Sequence, residues 1–301
     1  MNTVFIINPK SGQGKDANAL INEINSINQD AQCYVTTGVG DAESFVRSYC
    51  EKNGPARFIA CGGDGTLNEV LNGASSFSDA EVGVMPSGTG NDFCRNFEGD
   101  FRNIGAQING TSIKCDAISY TTNGKTRYCA NLFNIGFDCN VADMTSEMKK
   151  KPFISGSMAY FVSILVAIIK KKGADLKIEI DGKLVHDGPL LLNAISNGKC
   201  CGGGILSNPT AKINDGMIDT NIVYNIPRYR FITLLPRYMK GTHMQMKGIE
   251  RFIFNTKCKK IKITPNKEGF RICADGEVQN AGVTEFEIVH EAFNFVLPKS
   301  S

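Results

Sequence analysis

The chain has 301 residues, 42% hydrophobic and 21% charged, which excludes a disordered chain and suffices for two domains of ordinary size. The net charge of +3, from 33 basic and 30 acidic residues, excludes a protein whose affinity comes mainly from a nucleic-acid backbone. The longest apolar run, Met158 to Ile169, is too short to span a bilayer, and Met1 to Ile7 runs into a loop too soon for a signal peptide. Eleven cysteines, an odd number with no CxxC pair and with Cys200 and Cys201 adjacent, read as reduced thiols of a cytoplasmic protein. The expectation is a soluble chain, peripheral at most on the inner membrane face.

The first third alternates two periods. Val4 to Ile7, Cys33 to Thr36, Phe58 to Cys61 and Val82 to Met85 read as strands. Between them, Leu20, Ile21, Ile24 and Ile27, then Phe45, Val46, Tyr49 and Cys50, recur at helical spacing, and Leu67 to Asn72 starts a third helix. Such alternation predicts a parallel sheet with right-handed crossovers and a ligand crevice at the carboxyl ends of the strands.

After about Ile113 the texture becomes β-rich. Lys114 to Thr121, Thr126 to Phe133, Leu176 to Ile180, Leu190 to Ser196, Ile218 to Tyr224, Lys260 to Thr264, Phe270 to Ala274 and Glu285 to Val289 read as strands. Asn123-Gly124 and Asp181-Gly182 are hairpin turn pairs. One helical insert is expected near Ser157 to Lys171. The predicted fold is an α/β nucleotide-binding domain over 1–112, to which 291–301 returns, and a mainly antiparallel β-sandwich domain over 113–290.

Three loops carry the chemistry. Gly62-Gly63-Asp64-Gly65-Thr66-Leu67-Asn68-Glu69 follows a buried strand and opens a helix, with Thr66 and Glu69 spaced as a capping box. Its glycines let backbone N–H groups approach phosphate at a helix N-terminus. Asp64 would repel phosphate unless a cation lay between, which implies Mg²⁺. Asn8-Pro9-Lys10-Ser11-Gly12-Gln13-Gly14-Lys15 also links strand to helix and is not a Walker A loop, because Asp16 stands where Ser or Thr would. Pro86 to Arg95 is the third loop, with Thr89 or Asn91 as a helix cap. The three are expected to converge on one polyanion.

Elsewhere the residues alone favour plain readings. Asp275-Gly276-Glu277 and Asn214-Asp215-Gly216-Met217 read as turns, and Asp116 says nothing by itself. His186, His243 and His290 show no metal-ligand spacing, and Cys200 to Gly204 reads as a flexible loop.

Together, Asn8 to Gly12, Gly62 to Asn68, Gly88 to Arg95 and Asp275-Gly-Glu277 resemble the diacylglycerol kinase catalytic-domain family, in its soluble bacterial lipid-kinase branch. They occur in the family's order and cover nearly the whole chain. The resemblance implies ATP-dependent, Mg²⁺-dependent phosphorylation of a lipid hydroxyl, diacylglycerol giving phosphatidic acid. It implies that Asn8, Pro9, Lys10, Ser11, Gly12, Thr36 (or Thr37), Gly62, Gly63, Asp64, Gly65, Thr66, Leu67, Asn68 and Thr89 contact ATP. Asp64, with Asp116 as a second carboxylate, would hold Mg²⁺, and Glu277 would be the general base. Asp215, with backbone carbonyls of Lys212 and Met217, would hold a structural Mg²⁺. The implied partner is a lipid at a membrane surface; no nucleic acid is implied, and a homodimer stays open. In segment 149–172 the apolar spacing suits a helix packed on the core, while the flanking lysines Lys149 to Lys151 and Lys170 to Lys172 predict weak contact with an anionic leaflet. NAD kinase and a catalytically silent nucleotide-sensing module are the alternatives. The former does not explain Glu277, and the latter would be expected to lose Asp64 or Glu277.

Overall fold

The computed structural model describes residues 1–11, 16–149 and 173–299. The chain divides into two compact units, Met1–Ala117 with Val289–Ser301, and Ile118–Ile288. The first division falls beyond residue 112 because β5 (Thr111–Thr122) is one unbroken strand that begins in the first unit and ends in the second.

In the first unit β1 (Thr3–Ile7), β2 (Gln32–Val35), β3 (Arg57–Gly62) and β4 (Glu81–Pro86) alternate with α1 (Ala17–Ile27), α2 (Asp41–Asn53) and α3 (Asp64–Ala74). The sheet order is β4-β3-β1-β2, all parallel. Asn294 and Phe295 of β15 (Thr284–Leu297) join it beside β4, also parallel. β1 is buried along its whole length, as its continuous apolar run requires of a central parallel strand. Ile24 of α1 closes one face over Phe5, Ile7, Ile59 and Cys61. A short α4 (Ile104–Ile108) ends on the Arg57 guanidinium, which donates to the Gln107 and Ile108 carbonyls at 3.0 and 2.7 Å, a cation at a helix C-terminus.

The second unit adds β6 (Lys125–Cys129), β7 (Leu132–Gly136), β8 (Ala174–Ile180), β9 (Lys183–Ser196), β10 (Ile218–Tyr224), β11 (Ile253–Cys258), β12 (Lys260–Pro265), β13 (Arg271–Ala274) and β14 (Glu277–Asn280). It is antiparallel, in the order β14-β13-β7-β9-β8-β12-β15, with β10 between β9 and β11 and with β6 on β5. Among the described residues, two α-helices belong to it, α5 (Phe137–Lys149) and α6 (Arg228–Met239). Asn123-Gly124 and Asp181-Gly182 have φ of 50° and 73°, and 46° and 78°, the paired left-handed residues of a tight hairpin.

The structure departs from the sequence reading in several places. Thr126 to Phe133 is not one strand but breaks between β6 and β7. There the Asp275 carboxylate accepts the N–H groups of Ala130, Asn131 and Leu132 at 3.2, 3.4 and 2.9 Å, taking donors a continuous ladder would need. α4, α5, α6, β11 and β14 are absent from the sequence reading; α6 buries Phe231, Leu234 and Tyr238 against Phe137, Val141 and Val223. Cys200 to Gly204 is an ordered turn in which Cys200 accepts from Asn131 at 2.9 Å and Cys201 bridges Ile205. All eleven cysteines are free thiols, as expected. The helix expected near Ser157 to Lys171, and most of the lysine-flanked segment 149–172, lie outside the described residues.

Candidate functional site

β1, β3 and β4 run parallel, so the loops that follow them leave one edge of the sheet. Side-chain and backbone bonds join these loops. Asn8 donates its N–H to the Cys61 carbonyl and its Nδ2 to Thr66 Oγ1, both at 3.0 Å. Ser87 donates its N–H to the Gly62 carbonyl at 2.9 Å and its hydroxyl to Ser11 Oγ at 3.0 Å. Where the second and third loops meet, no side chain fits: a Cβ on Gly88 would lie 2.6 Å from the Gly63 Cα. Gly62 is equally constrained, since a Cβ there would collide with the Thr66 side chain. The glycines therefore serve close backbone approach.

Asp64 opens α3 and ties the third loop down. Its Oδ1 accepts the Asp92 N–H at 2.8 Å, and the N–H groups of Asn91 and Phe93 also stabilise its charge. Burial outweighs them and raises its pKa. Its Oδ2 faces the place that a Cβ on Gly90 would take, 2.8 Å away, so glycine at 90 keeps that oxygen approachable. A hard cation fits there, beside a carboxylate whose charge the surroundings only partly offset.

The expected helix caps are not formed. α3 begins at Asp64 with Gly63 as N-cap and no side-chain cap, two residues before Thr66. Thr66 already lies within the first turn and turns its hydroxyl to Asn8. Glu69 reaches instead to α2, accepting the N–H groups of Gly40 and Ala42 at 2.9 and 3.1 Å. In the third loop, Asn91 has φ 52° and binds back on Gly88, accepting its N–H at 3.0 Å and donating to its carbonyl at 2.7 Å. Only the 3-10 turn Cys94–Asn96 follows, and exposed Thr89 caps nothing.

The remaining expected contacts sort by depth. Pro9 and Lys10 are exposed, Asn8, Ser11 and Gly65 half-buried, and Gly12 lies outside the described residues. Leu67 and Asn68 are buried beneath the loop; the Leu67 N–H is spent on the Gly63 carbonyl. Thr36 is buried, with its N–H and hydroxyl both on the Ile7 carbonyl, at 2.8 and 3.3 Å. Thr37 donates its N–H and hydroxyl to the Asp41 carboxylate at 2.7 and 2.9 Å. Asp116 is fully buried, and its Oδ1 holds His290 Nδ1 and the Glu291 N–H, each at 2.8 Å. Of the other histidines, His243 is a buried core residue and the His186 ring meets the Gly188 carbonyl.

In the second unit, Asp275 (φ 45°) and Gly276 (φ 89°) form the hairpin turn between β13 and β14 that their residue types predict. The same Asp275 is bonded to the Ala130–Leu132 main chain, so the turn is anchored. Glu277 is the first residue of β14, paired with Ala274, and exposed. Asp215 lies in the turn before β10, accepting the Met217 N–H at 3.2 Å. Lys257 Nζ lies 2.5 Å from Asp215 and 3.0 Å from buried Asp219. Two carboxylates thus share one ammonium, leaving a net negative cluster that suits a further cation. Among the described residues no three His, Cys, Asp or Glu side chains form a metal cluster, so carbonyls such as those of Lys212 and Met217 would have to complete such a site.

Sequence reasoning missed Glu69 and Asp275 as the residues that fix the loops. For Glu69 the available signal was Gly40 before α2, an N-cap with no side chain of its own.

Residues 2–120 match the diacylglycerol kinase catalytic domain, and residues 131–297 match the YegS C-terminal NAD kinase beta sandwich-like domain. The diacylglycerol kinase of Bacillus subtilis strain 168 is 27% identical over 304 residues, covering 98% of this chain and 96% of its own. A probable lipid kinase YegS-like of Serratia proteamaculans is 30% identical over 227 residues, 73% of this chain and 72% of its own. The crystal structure of a diacylglycerol kinase from Bacillus anthracis shares the fold, with TM-score 0.71 at 21% identity over 98% of this chain and 96% of the other. The joined glycine loops, the anchored Asp-Gly-Glu turn and these matches agree: the chain belongs to the diacylglycerol kinase catalytic-domain family and is a lipid kinase with a YegS-type C-terminal domain.

Proposed function

We propose that this lipid kinase transfers the γ-phosphate of ATP to the free hydroxyl of diacylglycerol, giving phosphatidic acid and ADP. The observation that carries the reading is the loop cluster of the first unit. Three glycine-bearing loops are bonded together at one strand edge, with Asp64 at the N-terminus of α3. Main-chain N–H groups of the loops and the positive end of α3 hold the phosphates. Asp64, beside which Gly90 leaves room, would hold Mg²⁺. The bound cation would neutralise charge on the phosphates. In the second unit, Glu277 accepts the proton of the acceptor hydroxyl as oxygen bonds to phosphorus. That proton leaves late, because a loose transition state develops little alkoxide character. Away from the chemistry, Asp215 with the Lys212 and Met217 carbonyls would hold a structural Mg²⁺, beside the pairing of Lys257 with Asp215 and Asp219.

The test is turnover of radiolabelled ATP with diacylglycerol, phosphatidylglycerol, a ceramide-like lipid, NAD and no acceptor, with the lipids in mixed micelles. Label in phosphatidic acid is expected, with Mg²⁺ required. Label in NADP⁺ would establish the rival activity, and label in a different lipid would replace diacylglycerol.

A further inference from the structure

α6 carries two apolar faces. The inner one is the buried set Phe231, Leu234 and Tyr238. The outer one is Tyr229, Ile232 and Met239, 65%, 52% and 36% exposed, with exposed Pro236 between them. The spacing 229, 232, 236, 239 places these four on one ridge of the helix. Single exposed apolar residues are ordinary and need no explanation. Here, three of the eight large exposed hydrophobics among the described residues sit on one 12-residue helix.

The stretch of chain that holds the ridge has one sign of charge. From Thr220 to Ile249 the chain has no Asp or Glu, while it has Arg228, Arg230, Arg237, Lys240 and Lys247. Arg230, Arg237 and Lys240 are exposed. Arg230 and Arg237, seven residues apart, flank the ridge on one side; the Arg230 guanidinium lies between the Phe252 and Tyr229 rings, 5.1 and 5.8 Å from their centres. An apolar ridge with long cationic side chains beside it is the composition of a helix that lies in a membrane interface, its chains reaching up to the headgroups. A nucleic acid would have no use for the ridge. A second copy docked on this face by two-fold symmetry would bring Arg230, Arg237 and Lys240 of both copies into one interface, cations beside cations. Among the described residues, no helix is long and apolar enough to cross a membrane.

We propose that the outer face of α6 is the surface by which this chain docks on an anionic lipid bilayer, with Tyr229, Ile232 and Met239 entering the headgroup region and Arg230, Arg237 and Lys240 pairing with lipid phosphates. This rests on the reading that the acceptor is a membrane lipid. It assigns bilayer contact to a helix other than the segment 149–172.

The experiment is flotation of the full chain with vesicles of phosphatidylglycerol and phosphatidylcholine, or of phosphatidylcholine alone, with neither ATP nor diacylglycerol present. Wild type should float with the anionic vesicles and not with the neutral ones. Arg230→Gln/Arg237→Gln/Lys240→Gln should lower partitioning roughly 100-fold, at the usual contribution of a basic residue near an anionic leaflet. Tyr229→Ser/Ile232→Ser/Met239→Ser should lower it about 10-fold or more, by removing the inserted apolar area. The chain has no tryptophan, so Tyr229→Trp gives a single local reporter, expected to shift to the blue on anionic vesicles only. Equal flotation of wild type and both triple variants overturns the proposal. So does a wild-type dimer that the serine variant dissociates while vesicle binding stays unchanged, which would assign the ridge to a second copy. Turnover of a water-soluble short-chain diacylglycerol separates this result from failure of the proposed reaction. Both triple variants should keep that turnover, whereas a wild type without it would sink the reaction and leave the docking measurement standing.

Discussion

Glu69 accepts the N–H of Gly40 at 2.9 Å, and its second oxygen accepts Ala42 at 3.1 Å, so a side chain of α3 caps the neighbouring α2. Gly40 gives α2 no side-chain cap, and Asp41 is engaged by Thr37 and by the Tyr34 hydroxyl. The Asp41 N–H turns back to the Gly38 carbonyl, so the N–H groups of the cap residue Gly40 and of Ala42 are the ones that depend on Glu69. Glu69→Ala should cost about 1–3 kcal/mol, the usual penalty for orphaning partly buried donors of a charged acceptor. Glu69→Gln should cost less, since an amide oxygen still accepts. Urea midpoints check this, and an unchanged midpoint in Glu69→Ala would refute the capping role.

Asp64 combines two jobs that substitutions can separate. As an acceptor it holds the loop at Asp92; as a charge it is proposed to hold Mg²⁺. Asp64→Asn should keep most of the fold, because Oδ1 still accepts, while turnover falls by about 10³-fold or more through loss of the metal carboxylate. Asp64→Ala should lose turnover and about 1–3 kcal/mol of stability as well. Asparagine at 64 with near-normal turnover would falsify the metal role.

Glu277 and Asp275 should fail in different ways. Glu277→Gln removes a general base and should lower kcat roughly 10²-fold or more with ATP binding intact. Asp275→Ala removes the acceptor of three N–H groups that anchors the turn before Glu277. It should lower both the thermal midpoint and kcat. A kcat loss in Asp275→Ala without any stability loss would contradict an anchoring role, and full activity in Glu277→Gln would remove the mechanism.

What was legible in the sequence had local causes. β1 reads as a buried parallel strand because each of its residues is apolar or small enough to bury. The two hairpin pairs read correctly because Asn-Gly and Asp-Gly tolerate the left-handed backbone these turns need. The three loops were visible as glycine motifs between strand and helix. What escaped was set from a distance. Glu69 sits at capping-box spacing from Thr66, yet it serves residues 27 and 29 positions earlier. The break between β6 and β7 is imposed by Asp275, more than 140 residues on. α6 was hidden by its own composition: apolar residues on both faces blur the helical period, and Pro236 inside it reads as a breaker.

The cluster of Asp215, Asp219 and Lys257 predicts a response to Mg²⁺. Desolvation raises the Asp219 pKa, Lys257 opposes this, and Asp215 adds repulsion. A divalent cation at Asp215 would relieve that repulsion in the folded protein only. Mg²⁺ should raise the thermal midpoint of wild type, and by clearly less that of Asp215→Ala, which keeps only the Asp64 site. The same midpoint with and without Mg²⁺ in both proteins would mean that Lys257 alone balances the two carboxylates.

Asp138 predicts how stability varies with pH. It stands in the first turn of α5, where burial of its carboxyl pushes the pKa up to about 7, only partly opposed by the Tyr238 hydroxyl at 3.4 Å. The unfolded chain releases this proton near pH 4, while the folded chain keeps it to about 7. Between those values the folded state binds more protons, so stability falls as pH rises, and it levels off above about 7. The shift corresponds to a few kcal/mol at most, on the order of 1.4 kcal/mol per pKa unit. Asp138→Asn keeps an acceptor for Tyr238 and carries no charge. It should therefore lose this part of the pH slope and be more stable than wild type at pH 8. Urea unfolding of both proteins from pH 4.5 to 8 makes the comparison. Parallel curves for the two would show that Asp138 ionises as readily in the fold as in the unfolded chain.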